Sequence, residues 1–216
     1  MMLKEILLTG LRFVSMNALK NIKIELTSKC FQSCSKCPRT LLKGQYSELD
    51  LPLQHIQTIV DTKPKLITLM GNLGDPIYHS QFLEIVQLIN TADIPMHVFT
   101  VGSGYGETWW NDIYTVCKHK DNKWFFDVDG LEHTAGTYRR GLVFEQSFAA
   151  MRIGAELGKN INWSFPVLKH NQHEVVTAKH LANKYGINFR INYSERWDIN
   201  DPWKPTISKK DIDTAL

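Results

Sequence analysis

Apolar positions along the chain follow two alternating rhythms. Six short runs rich in β-branched and aromatic residues predict strands: Ile22–Thr27, Ile67–Gly71, Met96–Gly102, Trp124–Gly130, Ile161–Leu168 and Ile187–Tyr193. Between them the apolar residues recur at helical spacing. Leu53, Ile56, Ile59 and Val60 mark one helix face, and Phe82, Ile85, Val86 and Ile89 a second. Phe144, Phe148, Met151 and Ala155 mark a third, and Ala178, Leu181, Ala182 and Tyr185 a fourth. Thr108–Lys118 predicts a weaker helix with Trp109, Ile113 and Val116 facing inward. A short helix is expected to start within Cys30–Cys37 and run to about Leu42.

Strands alternating with helices predict parallel βα units and an α/β fold. Six units fall short of a closed eight-stranded barrel. They fit either a partial (β/α)6 TIM-like barrel or an open doubly wound sheet. No internal repeat is visible beyond this alternation. The reading divides the chain into a lead-in segment (1–21), a core domain (22–196) and a tail (197–216). The tail carries Pro202 and Pro205 with little periodicity, and is expected to wrap the domain or end in a short helix from Ser208.

Composition adds bounds. The 216 residues suffice for one large domain and scarcely for two. With 43% hydrophobic and 22% charged residues, the chain can bury a core. A net charge of +3 without a long basic run does not mark a nucleic-acid surface. Met1–Asn17 mixes apolar residues with Lys4 and Arg12 and lacks a small-residue cleavage site, so a packed lead-in helix or strand is expected rather than a signal peptide. No apolar run approaches the length of a membrane span. Three of four cysteines cluster, which predicts a reducing, cytoplasmic setting.

That cluster is Cys30-Phe31-Gln32-Ser33-Cys34-Ser35-Lys36-Cys37. Three adjacent thiols cannot form a closed disulfide framework, and soft sulfur ligands point to zinc or an iron–sulfur cluster. Structural zinc normally takes four ligands, and no second cysteine knuckle is present. Every other unusual loop also follows a strand, where parallel α/β folds place their sites. These loops are Gly71–Pro76, Thr100–Gly104, Asp127–Gly130, Lys169–Asn171 and Ser194–Trp197. Each has a plainer reading as well. Asp129-Gly130 suits a turn, and Arg139-Arg140 a solvated pair. His170, His173 and Glu174 suggest a metal pair, or else the start of the last amphipathic helix with Asn171 as N-cap. Cys117 reads as a small buried hydrophobe, and Trp109, Trp110 and Trp163 as packing.

With these residues in view, the sequence resembles the radical S-adenosylmethionine (SAM) superfamily over about Ile22–Tyr193. Cys30, Cys34 and Cys37 match its C-x3-C-x2-C motif, and Leu73-Gly74-Asp75-Pro76 resembles Gly-Gly-Glu-Pro. Asp127-Val128-Asp129-Gly130-Leu131, with Tyr138-Arg139-Arg140-Gly141 and Phe144, is similar to a pattern of the peptide- and protein-modifying branch that often carries a SPASM domain. Trp163–Glu174 is similar to fifth-strand segments of that branch.

The resemblance implies a partial (β/α)6 barrel and a [4Fe-4S] cluster on Cys30, Cys34 and Cys37. SAM would chelate the open iron and be cleaved reductively to methionine and a 5′-deoxyadenosyl radical that abstracts a substrate hydrogen. By motif position, carbonyls of Leu73, Gly74 and Asp75 would accept from the methionyl ammonium, and Arg139 would pair with its carboxylate. Asp127 would hold ribose hydroxyls or the amine, Thr100 would contact SAM, and the backbone near Lys36 would lie against adenine. An electron donor such as a flavodoxin or ferredoxin is implied as a partner.

Lys36 stands where an aromatic residue is common, Leu73 replaces a glycine, and Asp75 is one methylene shorter than glutamate. No cysteine follows residue 117, so the expectation is a minimal core without the SPASM auxiliary-cluster domain. The substrate expected is a peptide or protein side chain. A small metabolite or nucleotide, a non-catalytic cluster- or SAM-binding accessory protein, and a zinc-stabilised binding module are the alternatives.

Overall fold

The computed structural model describes residues 20–42, 45, 47–195 and 197–215. The lead-in expectation for Met1–Asn17 lies outside them.

All six predicted strands form. β1 (Asn21–Ile24), β3 (Leu66–Leu69), β4 (Met96–Thr100), β5 (Lys123–Asp127), β7 (Asn160–Pro166) and β8 (Asn188–Asn192) make one sheet in the order β1-β3-β4-β5-β7-β8. Every neighbouring pair is parallel. The result is a partial (β/α)6 barrel, with β1 and β8 at its two edges. A two-residue antiparallel ribbon, β2 (Ser33–Cys34) with β6 (Arg139–Arg140), was not anticipated.

Side chains alternate across each strand. Ile67, Leu69, Met96, Val98, Trp124, Phe126, Ile161, Trp163 and Phe165 point outward into a core closed by helices, and each is at most 1% exposed. The helices are α2 (Leu53–Asp61), α3 (Phe82–Thr91), α4 (Glu107–Val116), α6 (Phe144–Glu156) and α7 (Val175–Lys184). The short α1 (Pro38–Leu41) and α5 (Ala135–Tyr138) lie in loops. In sequence order α2 packs on α3, α3 on α4 and α4 on α6, as short βα crossovers require. No helix among the described residues is long and apolar enough to cross a membrane.

Two expectations need correction. On α4 the inward stripe is Trp110, Ile113, Tyr114 and Cys117, an i, i+3, i+4, i+7 set, and not the stripe through Trp109. Trp109 instead stacks on Tyr105 with ring centroids 4.1 Å apart. Asn171 does not cap a helix with its side chain. Fully buried, its Oδ1 accepts from Leu168 N–H (2.8 Å) and its Nδ2 donates to the Pro166 carbonyl (2.9 Å), so it braces the turn after β7. A 3-10 turn (Gln172–Glu174) then leads into α7.

The tail ends in the expected helix, α8 (Lys209–Ala215). Ser208 Oγ and the Asp211 side chain form a reciprocal capping box: Ser208 donates to Asp211 Oδ2 (2.7 Å) and accepts from Asp211 N–H (3.2 Å). Tyr193 O–H donates to the Ile207 carbonyl (2.9 Å), and the Trp203 carbonyl accepts from Lys169 N–H (2.9 Å). These bonds lay the tail against the C-terminal ends of β7 and β8.

Candidate functional site

Strand ends determine where the site can be. β1 stops at Ile24, and the chain around Thr27 pairs with the segment around Asp50 instead. That turn presents the cysteine loop over the end of the sheet. Cys34 lies in the β2–β6 ribbon directly opposite Arg139, and Cys37 N–H donates to the Cys34 carbonyl (3.1 Å). The ribbon is why a motif near residue 34 and one near residue 139 meet.

The loop after β3 approaches from the other side. Glu25, at the end of β1, accepts three backbone N–H groups on one oxygen: Asn72 (2.8 Å), Leu73 (2.6 Å) and Gly74 (3.2 Å). N–H and C=O point oppositely in a trans peptide, so the carbonyls of Gly71, Asn72 and Leu73 face away from Glu25. The Asn72 carbonyl lies 4.0 Å from Cys37 Sγ. Gly74 is required by close approach, because a Cβ there would stand 1.8 Å from the Thr27 carbonyl oxygen. The Asp75 carbonyl accepts from Tyr78 N–H (3.0 Å), closing the 3-10 turn Pro76–Tyr78.

Asp75 is buried and joins this loop to β4. Its carboxylate accepts from Thr100 Oγ1 (3.0 Å), Val101 N–H (2.8 Å) and Ile77 N–H (3.3 Å). Burial pushes its carboxyl up to about 6 despite these donors. The Thr100 hydroxyl is thereby committed, since it also accepts from Gly102 N–H (2.9 Å).

Arg139 points inward, with its Nε 2.9 Å from Asp129 Oδ1 and its Nη1 3.9 Å from Cys34 Sγ. Asp129 is fully buried. Burial pushes its carboxyl up to about 7, and the Arg139 charge works against that rise. Asp129 is therefore more than a turn residue, and Arg139 is not part of a solvated pair; Arg140 alone is exposed.

Burial pushes the Cys30 thiol up to about 12 and raises Cys34 as well, with Arg139 opposing the second shift. Cys30 S–H donates to Gln32 Oε1 (2.9 Å). Gln32 Nε2 donates to Tyr78 (3.3 Å), whose hydroxyl donates to the Ser103 carbonyl (2.6 Å). Lys36 turns its ammonium to the tail, pairing with Asp198 (3.0 Å) and with Asp201. Trp203 of the tail meets Tyr138 edge to face at 5.0 Å and His170 at 5.5 Å.

The cysteine loop, the loop after β3 and the ends of β4 and β5 border one cavity of about 340 Å³. Cys30, Cys34 and Cys37 form one wall, Leu73, Gly74 and Asp75 another, and Thr100, Asp127, Arg139 and Lys36 complete the rim. The ten residues assigned by motif position thus line the same space, whereas Asp129, His170, His173 and Glu174 do not. Sequence reasoning missed Glu25 and Gln32, whose partners Asn72 and Tyr78 are distant in the chain, and also Phe99, which lines the cavity; Asp129 and Tyr138 were named only within a turn and a motif.

The donor set fits an iron–sulfur cluster: three soft thiols converge on one cavity beside exposed backbone carbonyls. Among the described residues, no three His, Cys, Asp or Glu side chains close on a single-ion position. That holds for the Cys30–Cys37 thiols and for His170, His173 and Glu174 alike.

No protein-family model and no curated protein matches the sequence. Solved structures do match in fold. Streptococcus suis SuiB bound to S-adenosylmethionine superposes with a TM-score of 0.69 at 12% identity, covering 91% of this chain and 45% of SuiB. SuiB bound to its precursor peptide SuiA gives the same score at 13% identity, covering 91% and 44%. anSMEcpe with bound AdoMet and Cp18Cys peptide gives 0.62 at 12% identity, covering 84% and 54%. The chain spans under half the length of SuiB and little more than half of anSMEcpe. Its fold is a partial (β/α)6 barrel, shared with SuiB and anSMEcpe.

Proposed function

We propose that this chain is a radical SAM enzyme acting on a peptide or protein side chain. One observation carries the reading: the three thiols, the carbonyls of the Gly71–Gly74 loop and Arg139 border a single cavity at the C-terminal end of a parallel sheet. When bound, a [4Fe-4S] cluster and SAM supply an electron and a 5′-deoxyadenosyl radical that takes a hydrogen atom from substrate.

The chain's own residues bind and orient. Cys30, Cys34 and Cys37 would hold three irons. The Leu73 carbonyl, turned outward by Glu25, and the Gly74 carbonyl beside it would receive the methionyl ammonium. Arg139 has donors left beyond its contact with Asp129 and would pair with the methionyl carboxylate. Asp127, which lines the cavity, would accept from ribose hydroxyls. Peptides bound to SuiB and to anSMEcpe support a peptide substrate for this related fold.

Anaerobic iron–sulfur reconstitution, reduction and addition of SAM test the reading, with chromatography for 5′-deoxyadenosine. The expected result is roughly four irons per chain and product well above a Cys30→Ala control. Colourless protein retaining one zinc, or product equal to the control, would overturn it.

A further inference from the structure

The concave face of the sheet divides into two chemically different halves. Strand register identifies it, because residues paired across parallel strands share a face. Asp127 lines the cavity, Asp127 pairs with Ser164, and Ser164 pairs with Arg190. Arg190 therefore faces the concave side, as do its β8 neighbours Asn188 and Asn192, which pair with Asn162 and Pro166. On the other half, Phe99 and Phe125 stack at 4.4 Å and 9°, with His97 edge-on to Phe125 at 5.6 Å. One half is thus aromatic, and the half beside it presents amides and a guanidinium.

The cations on this face are unsatisfied. Arg190 is exposed, and among the described residues no carboxylate pairs with it, nor with Lys23 or Lys123, which share the concave face. Glu25, also on that face, is committed to three backbone N–H groups. Among the described residues, Asp127 is the one concave carboxylate of the strands left over, since Asp129 is taken by Arg139. It stands two strands from Arg190, about 10 Å at the usual strand spacing. The asparagines are already organised: Asn162 Nδ2 donates to Asn160 Oδ1 (2.9 Å), and Asn188 Nδ2 donates to the same oxygen (3.3 Å).

We infer that Arg190, with Asn188 and Asn192, binds a negatively charged group of the substrate, a carboxylate or phosphate, while Phe99 and Phe125 hold its apolar body. This rests on the enzyme reading above and names a substrate class for the same site. Arg190 presents a planar fork of donors suited to a two-oxygen anion. Asp127 repels the same group and so fixes its place toward β8 rather than against the cavity wall. Lys23 and Lys123 add a field that attracts anions into the concave face.

The test uses the full chain without cluster or SAM, so its outcome is independent of 5′-deoxyadenosine formation. Three probes share an aromatic body: 3-phenylpropionate, phenyl phosphate and the neutral 3-phenylpropanamide. Each is titrated while the side-chain amide signals of Asn188 and Asn192 are followed by NMR. At least one anion is expected to shift these signals saturably, and the tighter of the two identifies the group. The neutral amide should not shift them. Arg190→Ala should weaken anion binding about tenfold or more, as loss of a charge-assisted contact does, and Arg190→Lys should recover part of it. Equal binding by the neutral probe, unchanged affinity in a folded Arg190→Ala protein, or no shift with either anion would overturn the assignment.

Discussion

A single carboxylate oxygen shapes the loop after β3. Glu25 gathers three N–H groups and so turns the Gly71, Asn72 and Leu73 carbonyls away from itself. Glu25→Ala is predicted to weaken SAM binding about tenfold, the size of one charged hydrogen bond, with iron content unchanged. Glu25→Gln keeps an acceptor oxygen and should fall between. Isothermal titration of reconstituted protein measures both; wild-type affinity in Glu25→Ala would show that the loop holds its shape unaided.

Asp75 yields a prediction in pH. Its folded carboxyl sits at about 6, above the ordinary 3.8, so the folded chain holds that proton more tightly than the unfolded chain does. Its contribution to stability is therefore present at low pH and is lost as pH rises from about 4 to about 6, by at most about 1.4 kcal/mol per pH unit. Urea midpoints of wild type should fall relative to Asp75→Asn across that window. Parallel pH profiles for the two proteins would refute the buried, perturbed carboxyl.

Among elements, the strands were legible because buried parallel strands read as β-branched and aromatic runs. Their C-terminal ends were not. Each predicted strand overran by one to three residues, because loop partners capture the backbone there: Leu51 N–H donates to the Leu26 carbonyl, and Val101 N–H donates to Asp75. The face of α4 was misread because Trp109 and Trp110 are equally apolar, and only packing against Trp124 and Phe126 chooses between them.

The tail is an element held mainly by Trp203, Ile207 and Ile212 rather than by sheet pairing. Trp203→Ala should speed hydrogen exchange across Ile207–Ile212 by about tenfold or more, the factor set by 1.4 kcal/mol, while β5 and β7 amides stay protected. Uniform loosening of sheet and tail together would show that the tail is not a separate unit.

Over the whole molecule, four of the six loops singled out from the sequence line the cavity, those after β1, β3, β4 and β5. Six loops after six strands carried unusual residues, and a parallel sheet gathers such loops at one end. What stayed hidden was how the loops are fastened. Glu25 reaches Asn72 across 47 positions, and Arg139 reaches Cys34 across 105. Neither pairing leaves a periodic trace in one sequence. The concave face was hidden for the same reason, since Arg190 acquires its neighbours only through register with Ser164. Among the described residues no strand pairs with the outer edge of β1 or β8, and this completes the picture at this scale, because it leaves the concave face reachable from the side.

The bond between Lys36 and Asp201 spans 165 positions. On a ribosome adding roughly 5–20 residues per second, the cysteine loop emerges about 8–33 seconds before its clamp exists. During that interval the loop has its thiols but no tail across it. The cysteine loop is thus made well before the segment that pairs with Lys36, and synthesis itself leaves its thiols accessible in that interval.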